Sequence, residues 1–252
     1  MIGWVSLFGA GFVAVQVWRT VHRPDLPSLT NQDISGSCGD LSLPPLRIVA
    51  VGDSLLTAPG LDDLDGAWLR RLAGSYADRH RVELRSLAVG GSLARDVVQG
   101  QVAAAVALRA DVAVVGVGGN DVVRGVPVRR FAAALGTILG ALEETCGAVV
   151  LVGVGDLGTI PRLPYPLRAY LSHRSALFDR ACTRVAAAHS RTVRADTPRL
   201  PAGTVGSDPP LYGADLFHAS AAGHALLADS VTPAFETAYR MAVRRRPSLP
   251  EA

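Results

Sequence analysis

The sequence contains no lysine and only three cysteines, and this scarcity limits the sites that it can build. The cysteines are Cys38, Cys146 and Cys182. They lie far apart, form no Cys-x-x-Cys pair and have no histidine pair beside them, so neither a zinc site nor a disulfide framework is predicted. We expect Cys146 and Cys182 to be buried as small apolar side chains. A single disulfide bridge among the three stays open.

Because lysine is absent, arginine supplies all 25 basic side chains behind the net charge of +3. The arginines are spread along the whole chain, and their one cluster, Arg244-Arg245-Arg246, stands near its end. Such a run is typical of a solvated helix end or a tail rather than of a binding patch. The composition therefore argues against a nucleic-acid-binding protein.

The amino terminus is a long uncharged stretch that runs from Ile2 to Trp18 and stops before Arg19. These 17 residues, at ~1.5 Å each in a helix, just reach the lower length limit for crossing a membrane. The stretch lacks the basic start and the Ala-x-Ala-like site of a cleaved signal peptide, which stays the alternative. We expect residues 1–19 to form a membrane anchor, and the side of the membrane that holds the rest of the chain is left open.

The remaining sequence divides by composition into a linker, one domain and a tail. Residues 20–45 are rich in Pro, Ser, Gly and Asp and show no sustained hydrophobic period, which predicts a tether or a wrapping segment. Of the 252 residues 49% are hydrophobic, enough for one sizeable core. We assign residues 46–243 to a single α/β domain and residues 244–252 to a basic tail.

After residue 45, short β-branched apolar runs alternate with longer amphipathic stretches. The runs predict strands at Leu46–Val51, Val82–Ala88, Asp111–Val117, Ala148–Val154 and Thr192–Ala195. The amphipathic stretches predict helices near Ala67–Arg81, Ala94–Leu108, Val128–Thr145, Tyr170–His189 and Ser220–Val243. This alternation predicts a parallel sheet with helices on both faces, and in such folds the active site forms at the carboxyl ends of the strands.

Glycine-rich polar stretches follow the first three predicted strands. They are Gly52-Asp53-Ser54, Gly90-Gly91-Ser92 and Gly118-Gly119-Asn120-Asp121. Ser54 is a candidate nucleophile, and the glycines let backbone N–H groups approach a ligand closely. The backbone N–H groups of Ser54 and Gly91, together with the side-chain amide of Asn120, can surround one oxygen and stabilise a tetrahedral oxyanion.

A carboxylate and an imidazole lie one helical turn apart in Asp215-Leu216-Phe217-His218. At this spacing Asp215 can hold one ring nitrogen of His218 while the other nitrogen faces Ser54 and takes its proton. His224 is the competing base, but position 221 is alanine and provides no carboxylate one turn earlier. The sequence therefore predicts Ser54, His218 and Asp215 as nucleophile, base and orienting acid of acyl transfer.

In these four blocks the chain resembles the SGNH hydrolases, also called the GDSL lipase/esterase family, over roughly Leu46 to Tyr239. The resemblance implies a flavodoxin-like three-layer α/β/α fold with a five-stranded parallel sheet of order 2-1-3-4-5. It also implies hydrolysis of carboxylic esters, no metal or other cofactor, and an oxyanion hole made by Ser54, Gly91 and Asn120. No asparagine precedes the second block, so Gly90 stays an alternative donor to Gly91.

The run from Gly153 to Gly158 matches the glycine spacing of a dinucleotide-binding loop. That motif needs a helix to begin inside it, and the prolines from Pro161 to Pro166 exclude an early helix start. No nucleotide site is predicted. We expect residues 156–166 to form a loop beside the cleft, where four side chains can shape the acyl pocket: Leu157, Ile160, Leu163 and Tyr165.

Three functions use these residues to different extents. A serine esterase acting on small, lipid-like or acetylated-sugar esters uses every block. An acyltransferase would use the same site and differ only in whether an alcohol outcompetes water as acyl acceptor. A non-catalytic binding module that kept the fold is the third, and the complete set of chemical roles argues against it. The acyl length and the oligomeric state are not predicted.

Overall fold

Six strands form one sheet in the computed structural model, which describes residues 15, 27–197 and 210–245. The strands are β1 (Gly36–Cys38), β2 (Pro45–Gly52), β3 (Arg81–Ser86), β4 (Val112–Gly116), β5 (Ala148–Val152) and β6 (Thr192–Ala195). The helices are α1 (Trp68–Gly74), α2 (Ala94–Gly100), α3 (Val102–Leu108), α4 (Gly119–Val123), α5 (Val128–Thr145), α6 (Leu167–Ala187) and α7 (Ala221–Arg245). Short 3-10 helices occupy Ser54–Leu56, Leu64–Gly66 and Leu157–Thr159.

The strands follow one another across the sheet in the order β1-β3-β2-β4-β5-β6. β1 is antiparallel to β3, and every other neighbouring pair is parallel. Without β1 the order is the 2-1-3-4-5 expected for the five predicted strands, so the predicted three-layer fold class is confirmed. The strand count is corrected from five to six.

The sixth strand comes from the segment that the sequence predicts as a tether or a wrapping segment. Ile34 is 1% exposed and belongs to the core on one face of the sheet. The Ser35 hydroxyl accepts a hydrogen bond from the Ser86 N–H at 3.0 Å, and Gly36–Cys38 pairs with β3. The described part of this segment therefore wraps onto the domain. A three-residue strand is too short to produce a period that sequence analysis can detect.

Two apolar clusters of the described residues, one on each face of the sheet, hold the helices in place. α2, α3, α5 and α6 pack on one face, and α1 and α7 pack on the other. β2 serves both clusters because its side chains alternate between the faces. Val49 and Val51 contribute to the first cluster, while Ile48 and Ala50 contribute to the second.

Element boundaries differ from the predictions mainly where the hydrophobic period cannot mark an end. α5 and β6 have the predicted bounds. α6 begins at Leu167 rather than near Tyr170, directly after Pro166, which suits the start of a helix. The single helix predicted over Ala94–Leu108 is interrupted at Gln101, which is buried.

All three cysteines are free thiols, and their placement agrees with the prediction for the buried pair. Cys146 and Cys182 are buried, and Cys38 is exposed. Burial, the largest effect, raises the pKa of Cys182 to about 12, which keeps this thiol protonated and unreactive.

The predicted membrane anchor, residues 1–19, falls almost wholly outside the described residues and stays a prediction. Within residues 15, 27–197 and 210–245, no helix is both long and apolar enough to cross a membrane. Most of the predicted basic tail, from residue 246 onward, also lies outside the described residues.

The wrapping of residues 27–45 onto the domain predicts that Ile34→Ala destabilises the protein. Truncating a fully buried isoleucine removes apolar contacts and leaves a cavity, so the free energy of unfolding should fall by about 2–5 kcal/mol in urea titrations. Leu41→Ala is the matched control, because Leu41 lies in the same segment and is 80% exposed. It should change the free energy by less than about 0.5 kcal/mol. Equal effects of the two substitutions would contradict the wrapping.

Candidate active site

Ser54 lies in the turn that follows β2, where the hydrogen-bond ladder of the sheet ends. Asp53 caps this turn: its Oδ1 accepts the Leu55 N–H at 3.1 Å, and its own N–H donates to the Gly116 carbonyl at 3.0 Å. A Cβ at Gly52, whose φ is +151°, would lie 1.9 Å from the Gly116 carbonyl oxygen. Only glycine fits there, and the two strand ends approach closely enough to hold Ser54 at the carboxyl edge of the sheet.

Asp215 and His218 form a short hydrogen-bonded pair. The Nδ1 of His218 lies 2.6 Å from Oδ2 of Asp215. The other carboxylate oxygen, Oδ1, accepts the backbone N–H groups of Phe217 and His218, both at 3.0 Å. Because a carboxylate accepts at Nδ1, this nitrogen carries the ring proton and Nε2 is free to act as a base.

The hydrogen bonds to Asp215 decide its charge. Burial raises the pKa of this carboxyl, but the hydrogen bonds from His218 and Phe217 outweigh burial, and the pKa lies below its ordinary value. Asp215 is therefore ionised at neutral pH. It can stabilise the imidazolium that forms when His218 takes up a proton.

The Asp-x-x-His residues form a turn rather than the helical turn that their spacing suggested. Leu216 has a φ of +56°, a left-handed conformation, and its N–H donates to the Gly213 carbonyl at 2.9 Å. The Gly213 N–H in turn donates to the His218 carbonyl at 2.8 Å. α7 begins only at Ala221, so backbone contacts within the loop, not a helix, present His218.

Ser54, Asn120 and His218 border one cavity of about 230 Å³ at the carboxyl edge of the sheet. The remaining wall is mainly apolar and includes Val117, Val154, Leu157, Ile160, Leu226 and Leu227. The first turns of α7 therefore supply part of the wall, a contribution that sequence analysis missed. The only available signal was a pair of leucines shortly after His218.

The loop predicted to shape the acyl pocket does so through two of its four candidates. Leu157 and Ile160 border the cavity. Leu163 is buried in the core instead, and Tyr165 is 79% exposed, so neither is among the cavity-lining residues. The loop turns at Ile160, whose carbonyl accepts the Leu163 N–H at 3.2 Å, and this turn directs Leu163 away from the cavity.

No hydrogen bond joins the Ser54 hydroxyl to the His218 ring in the part of the chain that the structure describes. The contact between nucleophile and base is often long in unliganded enzymes and shortens when substrate binds. Both residues border the same cavity, and the His218 side chain is 25% exposed. The structure thus places Ser54 and His218 at one cavity without a direct hydrogen bond between them.

The side-chain amide of Asn120 donates to Oδ2 of Asp53 and to the Ser92 carbonyl, each at 3.3 Å. Both partners accept hydrogen bonds, so the NH₂ group of the Asn120 amide, and not its carbonyl oxygen, faces them. Both contacts are longer than usual for N–H···O bonds. The NH₂ group can therefore be shared with an oxygen that binds in the cavity beside Asn120.

Gly91, the predicted second backbone donor, follows β3 and precedes Ser92. Its φ of +81° is a conformation that favours glycine. Gly91 is not among the residues that border the cavity. The choice of Gly91 over Gly90 as an oxyanion donor stays a prediction.

His224, the competing base, also borders the cavity, but its surroundings do not suit a base. Its Nδ1 accepts the Trp68 N–H at 3.3 Å, so the neutral ring carries its proton on Nε2. Nε2 has no hydrogen-bond partner among the described residues. Burial, followed by the nearby His218, lowers the pKa of His224 to about 4. These surroundings argue against His224 as the base, and the assignment of His218 stays a prediction.

Two buried carboxyls behind the site have raised pKa values. Burial, the largest effect, raises the pKa of Asp53 to about 6 and that of Asp121 also to about 6. Hydrogen bonds from Leu55 and Asn120 partly offset the effect at Asp53. Near neutral pH both groups ionise at a cost to stability, because the unfolded chain ionises them more easily.

The raised pKa of Asp53 predicts how Asp53→Asn changes stability with pH. Between pH 4 and pH 6 folded wild-type protein holds a proton on Asp53 that the unfolded chain has lost, so this carboxyl lowers stability as pH rises. Asp53→Asn has no ionisable group at this position, so its stability does not fall for this reason as pH rises. In urea titrations its free energy of unfolding, relative to wild type, should rise by on the order of 2–3 kcal/mol from pH 4 to pH 7. Asp62→Asn, at an exposed aspartate, is the control. A free-energy difference between Asp53→Asn and wild type that does not change with pH would contradict the raised pKa of Asp53.

Comparisons with known proteins identify the family of this chain. Residues 50–226 match the GDSL-like lipase/acylhydrolase family. A GDSL-like esterase of Mycobacterium tuberculosis is 32% identical over 191 residues, which are 73% of this chain and 60% of that protein. The chain thus spans less than two thirds of the length of that relative.

Two solved structures share the fold. TesA has a TM-score of 0.61 and 24% identity, covering 76% of this chain and 99% of its own. The psychrotrophic esterase EstA from Pseudoalteromonas sp., in a structure inhibited by monoethylphosphonate, has a TM-score of 0.61 and 18% identity, covering 76% and 97%. The family match covers most of the chain and confirms the resemblance seen in the four blocks. The protein belongs to the GDSL-like lipase/acylhydrolase family.

Proposed function

We propose that this protein is a serine hydrolase that cleaves carboxylic esters through an acyl-enzyme on Ser54. The observation that carries the proposal is the 2.6 Å hydrogen bond between Asp215 and His218, at the wall of a cavity that Ser54 and Asn120 also border. Family membership supports it, since the M. tuberculosis relative and the Pseudoalteromonas structure are both named esterases. No other described histidine is paired with a carboxylate.

The first half of the reaction transfers the acyl group to Ser54. Nε2 of His218 takes the hydroxyl proton while Oγ attacks the ester carbonyl, and Asp215 stabilises the resulting imidazolium. The carbonyl oxygen becomes an oxyanion, stabilised by the backbone N–H groups of Ser54 and Gly91 and by the amide of Asn120. The carbon–oxygen bond to the alcohol then breaks, and His218 returns its proton to the leaving alcohol.

The second half releases the acid. Water loses a proton to His218 and attacks the acyl carbonyl, and the same donors stabilise the second oxyanion. The bond to Ser54 Oγ then breaks, and the proton on His218 goes to that oxygen. The carboxylic acid leaves, and the free hydroxyl and neutral imidazole are restored.

The size and the lining of the cavity indicate small esters. Its volume of about 230 Å³ lies below the range of ~300–1,000 Å³ that is usual for sites of drug-sized ligands. Its apolar wall suits a short acyl chain better than a charged group. Short-chain and acetyl esters, including acetylated sugars whose polar part stays outside the cavity, meet both conditions.

An acyltransferase would use the same acyl-enzyme and would differ only in the acceptor. Product analysis with and without added alcohols separates the two activities. A transferase would give mainly the new ester even at low alcohol concentration, whereas a hydrolase would give mainly the free acid.

Ser54→Ala tests the nucleophile. The variant should lose p-nitrophenyl acetate turnover by at least about 10³-fold, because no other group replaces the attacking hydroxyl. A fluorophosphonate probe should add its mass to Ser54 in folded wild-type protein and leave the variant unlabelled. Ser42→Ala, at an exposed serine, is the control and should behave like wild type. Retained turnover in Ser54→Ala would show that the nucleophile lies elsewhere.

Asn120→Ala tests the oxyanion hole. Removing one donor that acts mainly in the transition state should lower kcat by roughly 10²–10³-fold and change KM little. Steady-state kinetics with p-nitrophenyl acetate measure both constants. A change confined to KM would mean that Asn120 only binds substrate.

A further inference from the structure

The buried side chain of Gln101 connects two of the loops that carry the proposed oxyanion hole. Gln101 lies at the break between α2 and α3 and is 3% exposed. Its Oε1 accepts the Gly52 N–H at 2.7 Å, and its Nε2 donates to the Gly52 carbonyl at 2.9 Å and to the Ser92 hydroxyl at 3.4 Å. One side-chain amide thus satisfies both backbone groups of Gly52 and reaches a second loop.

The end of the sheet explains why Gly52 needs this partner. β3 pairs with β2 only as far as Ser86, while β2 continues to Gly52. The Gly52 carbonyl is also bonded by the Val89 N–H at 3.1 Å, but its N–H is bonded by Gln101. A primary amide offers an N–H and a C=O together, as a strand residue does, so Gln101 replaces the missing strand partner. Gly52 lies two residues before Ser54, whose N–H is a proposed oxyanion donor.

The second branch of this network leads through Ser92 to Asn120. Ser92 directly follows Gly91, and its hydroxyl contacts Gln101. Its carbonyl accepts the Asn120 amide at 3.3 Å. Gln101 therefore holds Gly52, two residues before Ser54, and Ser92, directly after Gly91, and through Ser92 it is also linked to the side-chain donor Asn120.

We propose that Gln101 is a positioning residue of the oxyanion hole, which sets the distance between the loop of Ser54 and the loop of Gly91 and, through Ser92, helps to place Asn120. The inference rests on the proposed function, because it presumes that these loops stabilise an oxyanion. Gln101 does not border the cavity, so we expect it to act without contacting the substrate. Replacing Gln101 should therefore lower kcat more than it changes KM, because displaced donors stabilise the transition state less well.

Gln101→Met tests the proposal with a side chain of similar length that cannot hydrogen-bond in this way. We expect kcat for p-nitrophenyl acetate to fall by about 10–100-fold, with KM changed less than about threefold. Gln99→Met is the matched control, because Gln99 lies in α2 two residues before Gln101, is exposed, and should keep wild-type kcat. Assays run well below the melting temperature of each variant, with near-ultraviolet circular dichroism to establish folding. Wild-type kcat in folded Gln101→Met would overturn the proposal.

A double-mutant cycle with Asn120→Ala tests the route through the oxyanion donors. If Gln101 acts by placing these donors, the double variant should lose clearly less kcat than the product of the two single losses. Losses that multiply fully would show that Gln101 acts independently of Asn120 and would overturn the proposal.

Gln101→Glu adds a pH signature, measured at pH values where near-ultraviolet circular dichroism shows that the variant is folded, because ionisation of a buried carboxyl also destabilises the fold. A protonated carboxyl still offers one O–H donor and one carbonyl acceptor to Gly52, whereas the ionised carboxylate repels the Gly52 carbonyl. The ratio of variant kcat to wild-type kcat should therefore rise as pH falls. A ratio that is flat or rises with pH would count against the bidentate contact.

Failure of this inference can be told apart from failure of the proposed function. If Ser54→Ala keeps its activity, the serine mechanism itself is wrong. If Ser54 is essential and labelled by fluorophosphonate while Gln101→Met matches wild type in kcat, only the role of Gln101 is wrong.

Discussion

The carboxyl edge of a parallel sheet leaves backbone groups without partners, and the site is built from the side chains that satisfy them. β2 extends beyond β3, and the close approach of Gly52 to Gly116 leaves no space for a Cβ between the two strand ends. Buried backbone groups must be hydrogen-bonded. Here Gln101 bonds both groups of Gly52, Asp53 caps the turn at Ser54, and Asp121 accepts the Ala94 N–H at 3.0 Å. Gln101 and Asp53, which satisfy backbone groups where β2 ends, thus also hold the turn of the proposed nucleophile, and fold and site share hydrogen bonds.

Three buried aspartates show how their surroundings divide the roles of identical side chains. Asp215 receives the His218 ring and two backbone N–H groups, and these hydrogen bonds hold its pKa below the ordinary value despite burial. Asp53 and Asp121 also accept hydrogen bonds, but burial outweighs them and raises the pKa of each to about 6. Ionised Asp215 can stabilise a protonated His218, whereas the other two lower stability near neutral pH. Asp53 also has a place in the proposed site, because its Oδ2 is one of the two acceptors that orient Asn120.

Sequence analysis places residues correctly where their chemistry and spacing carry the signal. Ser54 and Asn120 were predicted from their places after strands and His218 from its spacing to Asp215. The structure brings these three residues to one cavity, and the roles that sequence analysis assigns to them stay predictions. Sequence analysis fails where a role depends on how far a strand extends beyond its neighbour. Gln101 sits within an amphipathic pattern that predicts an unbroken helix, and nothing local indicates that its amide completes the sheet. β1 was missed for a similar reason, since three residues carry no period and only the wrapping of the chain brings them to β3.

The wall of the cavity and the turn that presents the base are not independent parts of the molecule. The Arg162 N–H, in the loop that carries the cavity residue Ile160, donates to the Leu216 carbonyl at 3.0 Å, inside the Asp-x-x-His turn. The hydroxyls of Thr159 and Tyr212, which both border the cavity, lie 3.0 Å apart and link the same two loops. A change in this loop that enlarges the acyl pocket therefore also acts on the turn that presents His218. The wall formed by α7 is linked to the same turn, because the N–H groups of Gly223 and His224 donate to the hydroxyl and the carbonyl of Ser220. Both walls of the cavity are thus coupled to the position of His218.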